Sequence, residues 1–482
     1  MVLISAIIIP IVFIVMIILF LWGKVDQMLV SLIGAIIATF SLVILDGIEF
    51  ELIVGFIFGT PANGFINFHT IVLSLGMLII INICQETGVF NYFAFLLIQR
   101  TGGKRFQLFF ILSILSFLFS AILNNILAIL FFVPLTITVC KILKINPIPY
   151  IISMAILVNL GSLLFVISSI PNILIGQITG WTFARFFIEV GLFSFILILI
   201  SSIFLVGYYK KNLEIPDKNL IIVLKQYDAW VFVKNKRDFY ISLLTLIITL
   251  SLFIILPIFT LITIDMIAMS SSVILILIIA NKNIRYIMKK LDFELLFYLI
   301  GVFLITDALN YTGTLEIISN WLIVISQGNL IISSIIVLWL SAGLSSLMNN
   351  APVSKIMIPI INNLANTYTI NPDIIYSSLV YGSNLGDNLT PWGDNLVAMK
   401  ISGNYDIKLD FYKFFKIGII ISIIQLSATS VYIFICINGH FLFFGILILL
   451  ILFIIIIFRY FYREIYNFFN KYLKKLLNNI NL

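Results

Sequence analysis

The segment Asn384–Asn395 places many polar side chains inside a long apolar run. It holds two Asp, three Asn, two Gly and one Pro. Gly and Pro interrupt helices, while Asp and Asn supply oxygen ligands. In a lipid bilayer, irregular backbone persists only where protein buries it or water reaches it. We therefore predict a binding site for a small ion at this break; the alternative is a loop outside the membrane.

Two overlong apolar runs, at 149–179 and 372–402, contain such polar breaks. Each exceeds the roughly 17–25 residues that one crossing needs, which predicts two half-helices whose dipole ends face a gap. Such ends, with side-chain oxygens, suit a small cation or anion. The candidate ion-binding residues of the first run are Asn159, Gly161, Ser168, Ser169 and Asn172. Those of the second run are Asn384, Gly386, Asp387, Asn388, Thr390, Asp394 and Asn395.

Two Asn-Asn pairs, Asn124-Asn125 and Asn349-Asn350, each separate two apolar helices that enter and leave on one side. The hairpins that they form span 107–143 and 331–363. We expect both to be re-entrant, with the Asn pairs at mid-depth as binding residues; ordinary surface turns are the alternative. The side-chain oxygens of Asn125, Asn350, Asp387 and Asp394 form a candidate sodium site, and we expect no other metal and no cofactor besides a coupling sodium ion or proton.

The second broken run and its hairpin carry charge, whereas the first pair is neutral. Lys355, Asp387 and Asp394 would each cost about 2.5–3.5 kcal/mol unpaired at the bilayer centre. We expect Lys355 to be the charge partner of one Asp, so that the other binds the transported proton or sodium. The alternative is a structural latch made of all three.

Composition sets the protein class. Only 10% of the 482 residues are charged and 62% are hydrophobic, whereas a soluble domain has about a quarter charged residues. We predict an all-α polytopic membrane protein with about eleven transmembrane helices plus two re-entrant hairpins, embedded in the lipid bilayer. The scattered cysteines, the lack of a phosphate-binding loop and the lack of a nucleophile–base pair argue against an enzyme. The sequence leaves an external ATPase subunit open, and it gives no reason to expect nucleic-acid binding.

The basic residues predict the topology. With eleven crossings, all of the 28 Lys and Arg residues except Arg185 and Lys355 fall on one face. By the positive-inside rule this face is cytoplasmic. We predict a plasma-membrane protein with an external N-terminus and a cytoplasmic C-terminus.

An internal repeat appears when the chain is shifted by 225 residues. Asn124-Asn125 then falls on Asn349-Asn350, and Asn159 falls on Asn384. The flanking charges predict opposite orientations, and inverted repeats with broken helices are typical of secondary transporters. A passive channel is the alternative of another class. The predicted division is a first repeat (1–209), a cytoplasmic loop (210–238), a second repeat (239–436), and an extra helix with a basic tail (437–482).

The segments Ser120–Asn125, Asn146-Pro147, Asn159–Gly161 and Ile170–Gly176 resemble the ion transporter superfamily. Within it, the arsenite permease and NhaD-type sodium/proton antiporter branch is the most similar, and the citrate and dicarboxylate/sodium symporters are relatives. The resemblance implies two re-entrant hairpins, a homodimer, and an elevator-like movement of the transport domain. For the substrate we expect arsenite or a related anion first, sodium/proton exchange second, and citrate or dicarboxylates third, each driven by a proton or sodium gradient.

Overall fold

A computed structural model describes residues 4–22, 25–99, 105–217, 219–222, 228–280, 284–391 and 393–438. Within those ranges the regular structure is helical and contains no strand. Eight of the helices are long and apolar enough to cross a membrane. The prediction of an all-α polytopic membrane protein is therefore confirmed. Residues 439–482, which hold nearly all of the predicted extra helix and basic tail, lie outside the described residues.

The first half of the chain forms ten helices in the described ranges. They are α1 (Ser5–Trp22), α2 (Gln27–Phe40, extended by the π-helical Ser41–Leu45), α3 (Phe50–Phe58), α4 (Ile66–Glu86), α5 (Val89–Gln99), α6 (Arg105–Ser120), α7 (Asn125–Leu143), α8 (Ile148–Gly161), α9 (Ile170–Thr179) and α10 (Phe183–Tyr209). Neither α3 nor α5 was predicted, because both are too short to cross a bilayer.

The second half adds ten more helices. They are α11 (Lys236–Phe259), α12 (Ile264–Leu275, extended by Ile276–Ala280), α13 (Ile284–Lys289), α14 (Phe293–Tyr311), α15 (Thr314–Ser326), α16 (Leu330–Ser345), α17 (Asn350–Tyr368), α18 (Asp373–Gly386), α19 (Asp394–Asn404) and α20 (Phe411–Asn438). The bounds of α16, α17 and α18 equal those of α6, α7 and α8 plus 225 residues. The sequence analysis also missed α15, which is short like α5.

Both overlong runs are broken. In the first, α8 ends at Gly161 and α9 begins at Ile170, and in the second α18 ends at Gly386 and α19 begins at Asp394. Ser169 precedes Pro171, whose ring suits the first turn of a helix. At the second break Gly393 has φ +64°, a conformation that favours glycine, so this residue lets the chain turn into α19.

Each hairpin packs tightly on the broken helix that follows it in sequence. A Cβ atom on Gly161 would lie 2.1 Å from the carbonyl oxygen of Phe117, and one on Gly386 would lie 2.4 Å from that of Ala342. Any larger residue would therefore push α8 off α6, or α18 off α16. The packing also crosses between the halves, since α7 contacts α19 and α17 contacts α9.

Candidate functional site

A cavity of about 80 Å³ lies where the two Asn-Asn tips meet. Its polar lining comes from both hairpins, from both broken helices and from two further helices. The predicted site residues that line it are Asn124, Asn125, Ser168, Ser169, Asn349, Asn350 and Asp394. Of the described lining residues only Asp394 carries a formal charge. The cavity thus offers amides, hydroxyls and one carboxylate.

The first tip is held by neutral hydrogen bonds. The side chain of Asn124 caps α7 by accepting from the backbone N–H of Leu127 at 2.8 Å. The Ser120 hydroxyl lies 2.7 Å from the carbonyl oxygen of Val158 and 3.2 Å from Asn125 Oδ1. Asn125 is buried and lines the cavity. These bonds fix the two tip amides in place before any ligand arrives.

The second tip uses the same frame but holds a carboxylate. The Ser345 hydroxyl lies 2.6 Å from the carbonyl oxygen of Ser383 and 2.6 Å from Asp387 Oδ1. Asn350 Nδ2 donates to Asp387 Oδ2 at 3.2 Å. The residue 225 positions before Asp387 is Ser162, which is neutral. Asp387 is 5% exposed and has no Lys or Arg nitrogen within 4 Å among the described residues.

Asp394 occupies the first position of α19 and faces the cavity. It lies beside Asn125 of the opposite hairpin, which brings the first tip and the second broken helix together. No basic side chain in the described ranges forms an ion pair with it. The site therefore holds two carboxylates, Asp387 and Asp394, to which the described part of the chain supplies no cationic partner.

The prediction that Lys355 neutralises Asp387 or Asp394 is wrong. Lys355 Nζ lies 3.1 Å from Asp307 Oδ1 and 2.9 Å from Asn67 Oδ1. Lys355 follows Asn350 by five residues, which turns its side chain about 140° around α17, away from the side that meets Asp387. The latch of Lys355 with both carboxylates of the break is excluded for the same reason.

Four of the predicted amides lie in a buried network that joins the two broken helices. Asn159 Nδ2 donates to Asn388 Oδ1 at 2.8 Å, and Asn384 Nδ2 donates to Asn172 Oδ1 at 3.1 Å. All four side chains are fully buried, and none of them lines the cavity. These four side chains therefore lie outside the layer of residues that lines the cavity.

The remaining predicted residues support the backbone around the two breaks. The Thr390 hydroxyl donates to the carbonyl oxygen of Ser346 at 2.7 Å. Asn395 Nδ2 donates to the carbonyl oxygen of Asp387 at 2.7 Å, which ties the start of α19 to the end of α18. Gly161 and Gly386 act through close packing, as described above. These residues position the carboxylates, and none of them lines the cavity.

A larger vestibule of about 500 Å³ adjoins the cavity. The residues that line both spaces are Ile126, Leu295, Tyr298, Asn349 and Asp394. Acidic residues on the vestibule wall, Asp26, Asp292 and Glu294, outnumber the single basic residue Lys400 among those described. A ligand thus has a wide and mostly acidic approach to the cavity.

Sequence reasoning missed three residues of this site. Ser345 could have been found, because it falls on Ser120 under the 225-residue shift. Ser74 of α4 and Tyr298 of α14 also line the cavity. They stand singly in apolar helices with no neighbouring motif, so no sequence signal marks them.

Comparison with known proteins places this geometry in context. A family model described as citrate transporter (CitMHS) matches residues 17–379. A 46 kDa membrane protein of Mycobacterium leprae is 25% identical over 377 residues, covering 76% of this chain and 86% of that protein. An uncharacterized transporter of Mycobacterium tuberculosis is also 25% identical, over 372 residues, with the same coverage of both chains. The human P protein is 23% identical over 450 residues, and the match covers 53% of its length and 76% of this chain.

A solved structure with a similar fold illustrates the architecture. It is that of Neisseria gonorrhoeae MtrF, whose report describes a class of antimetabolite efflux pumps. The TM-score is 0.52 at 12% identity, and the match covers 76% of this chain and 80% of that one. The likeness is one of architecture.

Proposed function

This chain belongs to the citrate transporter (CitMHS) family of membrane transporters, and we propose that it is a secondary active permease driven by a proton or sodium gradient. The observation that carries the proposal is the pair of carboxylates Asp387, which is buried, and Asp394, which is half-buried on the cavity wall; neither has a cationic partner among the described residues. An unpaired buried charge is costly, so such a group takes up a proton or a cation. Two carboxylates at the meeting point of two helix breaks are therefore suited to coupling.

The surroundings of Asp387 support a cation of the size of sodium. The carboxylate has the Ser345 hydroxyl at 2.6 Å and the Asn350 amide at 3.2 Å. Hydroxyl and carboxylate oxygens are the ligands that hard cations prefer. A proton on Asp387 satisfies the same charge requirement.

The size of the cavity supports a small solute. At about 80 Å³, it has roughly half the volume of an apolar cavity that holds benzene, about 150 Å³. We propose arsenite or a related small inorganic anion as substrate. Citrate, which the family description suggests, would have to extend past Tyr298 and Asn349 into the vestibule.

Sodium/proton exchange is the second candidate function. It is favoured by Asp394, which is the one formally charged residue among those described on the cavity wall. In this case sodium ions and protons would be the only transported species, and the cavity would hold one hydrated cation. A passive channel is the alternative of another class.

Transport by purified protein in liposomes tests the proposal. We expect arsenite or labelled sodium to accumulate above its equilibrium level when a proton or sodium gradient is imposed, and to stop accumulating when an ionophore collapses that gradient. Asp406→Asn is a matched control, because Asp406 is exposed and has φ +63°, a conformation that Asn also tolerates. Equilibration without accumulation would indicate a channel. Accumulation in intact cells that requires ATP, but none by the purified protein, would indicate an external ATPase subunit.

For the location we propose a multi-pass protein of the plasma membrane that works as a homodimer in the bilayer. The distribution of basic residues supports an external N-terminus and a cytoplasmic C-terminus. A cysteine at Asn329 should react with an impermeant thiol reagent from outside, and one at Asn404 from the cytoplasm. Labelling of both from one face would contradict this topology. We propose no resident cofactor besides the coupling ion, and no enzymatic activity.

A further inference from the structure

We infer that Ser74 and Tyr298 bind the transported solute directly and help to select it. They lie on α4 and α14, outside the hairpins and the broken helices that supply the rest of the site. The inference rests on the proposed function, because it adds two residues to the same site and narrows the class of solute.

The first observation is that both hydroxyls are buried on the cavity wall without a partner. Ser74 is 7% exposed and Tyr298 is 5% exposed, and both line the cavity. The Ser74 hydroxyl has no hydrogen-bond partner among the described residues. The Tyr298 hydroxyl lies beside the Asn349 side chain but forms no hydrogen bond of good geometry in the described part of the chain. Buried polar groups in native proteins are nearly always paired, so two that face one cavity call for a ligand.

A third hydroxyl strengthens this observation. Ser169, at the start of the second half of the first broken helix, also lines the cavity with an unpartnered hydroxyl among the described residues. Residues from three separate helices on the wall of this cavity of about 80 Å³ thus each carry a buried hydroxyl without a partner among the described residues. Isolated burial of one such group is common enough, but their convergence indicates a site.

The second observation is that the 225-residue shift does not produce these hydroxyls. Tyr298 falls on Leu73, and Ser74 falls on Leu299. Both leucines are fully buried. Each hydroxyl thus occurs in one half of the chain only, and the equivalent position of the other half holds an apolar residue. Departure from an apolar pattern without a structural partner is expected where a residue serves binding.

The lining defines the chemistry of the solute. Hydroxyls donate and accept hydrogen bonds, whereas the Asp394 carboxylate only accepts unless it is protonated. A fully ionised anion would face that carboxylate with no cation or proton between them. The site therefore suits a small oxyacid or hydroxylated solute that keeps at least one proton, or one that enters with a bound cation. Ser74 and Tyr298 would donate to its oxygens while its proton faces Asp394.

The position of Tyr298 explains how it would select. Tyr298 lines both the cavity and the vestibule, so a solute that enters from the vestibule passes its ring. Larger solutes meet the ring, and solutes without an oxygen acceptor leave its hydroxyl unpaired. A site with buried polar groups discriminates strongly against a ligand that fails to pair with them.

Two conservative substitutions test the inference, Tyr298→Phe and Ser74→Ala, with arsenite and citrate as probes in liposomes. We expect each to raise the KM of the transported probe roughly 3- to 10-fold, the loss of about one hydrogen bond. The KM for the driving cation should change less than about twofold, since neither residue touches Asp387. Because each substitution removes an unpartnered hydroxyl, the thermal stability without solute should not fall.

Matched controls exist in α8. The hydroxyls of Tyr150 and Ser153 are also buried and unpartnered among the described residues, but neither residue lines the cavity or the vestibule. Tyr150→Phe and Ser153→Ala should leave the KM of the probe unchanged. A second readout avoids transport: the probe should raise the Tm of the purified wild type and of both controls at lower concentrations than it does for Tyr298→Phe and Ser74→Ala.

The outcomes separate this inference from the proposed function. Wild-type transport with an unchanged KM and an unchanged Tm response in Tyr298→Phe and Ser74→Ala overturns the inference and leaves the proposed function standing. An equal loss in the α8 controls overturns it as well. A wild type that moves neither probe nor sodium overturns the proposed function, and the inference falls with it.

Discussion

The two hairpin tips share one hydrogen-bond frame and differ in charge. In each, a serine hydroxyl lies close to a carbonyl oxygen 38 residues further on, Ser120 at 2.7 Å from Val158 and Ser345 at 2.6 Å from Ser383. In the first half the next turn places the neutral Ser162 beside this frame, while the second half places Asp387 there. The same hydrogen-bond frame thus has a neutral side chain beside it at the first tip and a carboxylate beside it at the second.

The same contrast extends to the supporting ion pair. Asp307 and Lys355 pair in the second half, whereas the positions 225 residues earlier hold Asn82 and Leu130. The first half forms the same hydrogen-bond frame with neutral residues, so the frame itself does not depend on the charges of the second half. Substitutions that give one half the residues of the other therefore measure what each charge does.

The largest expected effect is on the ion pair. Lys355→Ala should destabilise the fold by about 3 kcal/mol, because it leaves Asp307, whose side chain is only 17% exposed, without its cation. The double variant Lys355→Leu with Asp307→Asn, which copies the first half, should cost clearly less. Thermal unfolding in detergent measures both, and an equal loss in the single and double variants would show that packing, and not charge, accounts for the effect.

The next effect is on coupling. Asp387→Ser, which installs the residue of the first half, should lower gradient-driven transport at least roughly hundredfold, since about 2.7 kcal/mol of coupling free energy corresponds to two decades in rate. Exchange of solute down its own gradient should persist, because the cavity lining is intact. Ser162→Ala is the matched control and should lose much less, as it breaks a 2.9 Å bond to Asn384 between neutral groups. Full gradient-driven transport by Asp387→Ser would assign the carboxylate a structural role.

The smallest expected effect is the difference between the substitutions Ser345→Ala and Ser120→Ala. Ser345→Ala removes a hydrogen bond to a carboxylate, worth about 1.5–3 kcal/mol, while Ser120→Ala removes bonds to neutral groups, worth about 0.5–1.5 kcal/mol. We expect the concentration of sodium needed to stabilise the protein to rise more in Ser345→Ala than in Ser120→Ala. The reverse order in a sodium titration of Tm would mean that the first tip holds the cation.

The parts of the fold that the sequence predicted are those marked by helix-breaking residues. The hairpin predicted at 107–143 appears as α6 and α7, which together run from Arg105 to Leu143, within two residues of the prediction at each end. Asn, Gly and Pro alter backbone geometry locally, so their effect is readable without tertiary structure. The same holds for the gaps that follow Gly161 and Gly386.

The partner of Lys355 was not predictable in the same way. Lys355 lies close enough to the tip along α17 to reach the second break. Its partner is decided instead by the direction of its side chain around the helix axis and by the helix that lies on that side. Asp307 and Asn67 come from α14 and α4, which are far away in sequence. Ser74 and Tyr298 escaped for a similar reason, because one polar residue in an apolar helix does not say what it faces.

The close approach at Gly161 and Gly386 bears on how the molecule can deform. With no side chain as a spacer, α8 rests on the backbone of α6, and α18 rests on that of α16. Contacts of α7 with α19, of α17 with α9 and of α8 with α18 join the two units of hairpin and broken helix to each other. A displacement of either tip is therefore transmitted to all eight helices. Sliding of these eight helices against α4 and α14 would carry the tips, with anything bound between them, past Ser74 and Tyr298.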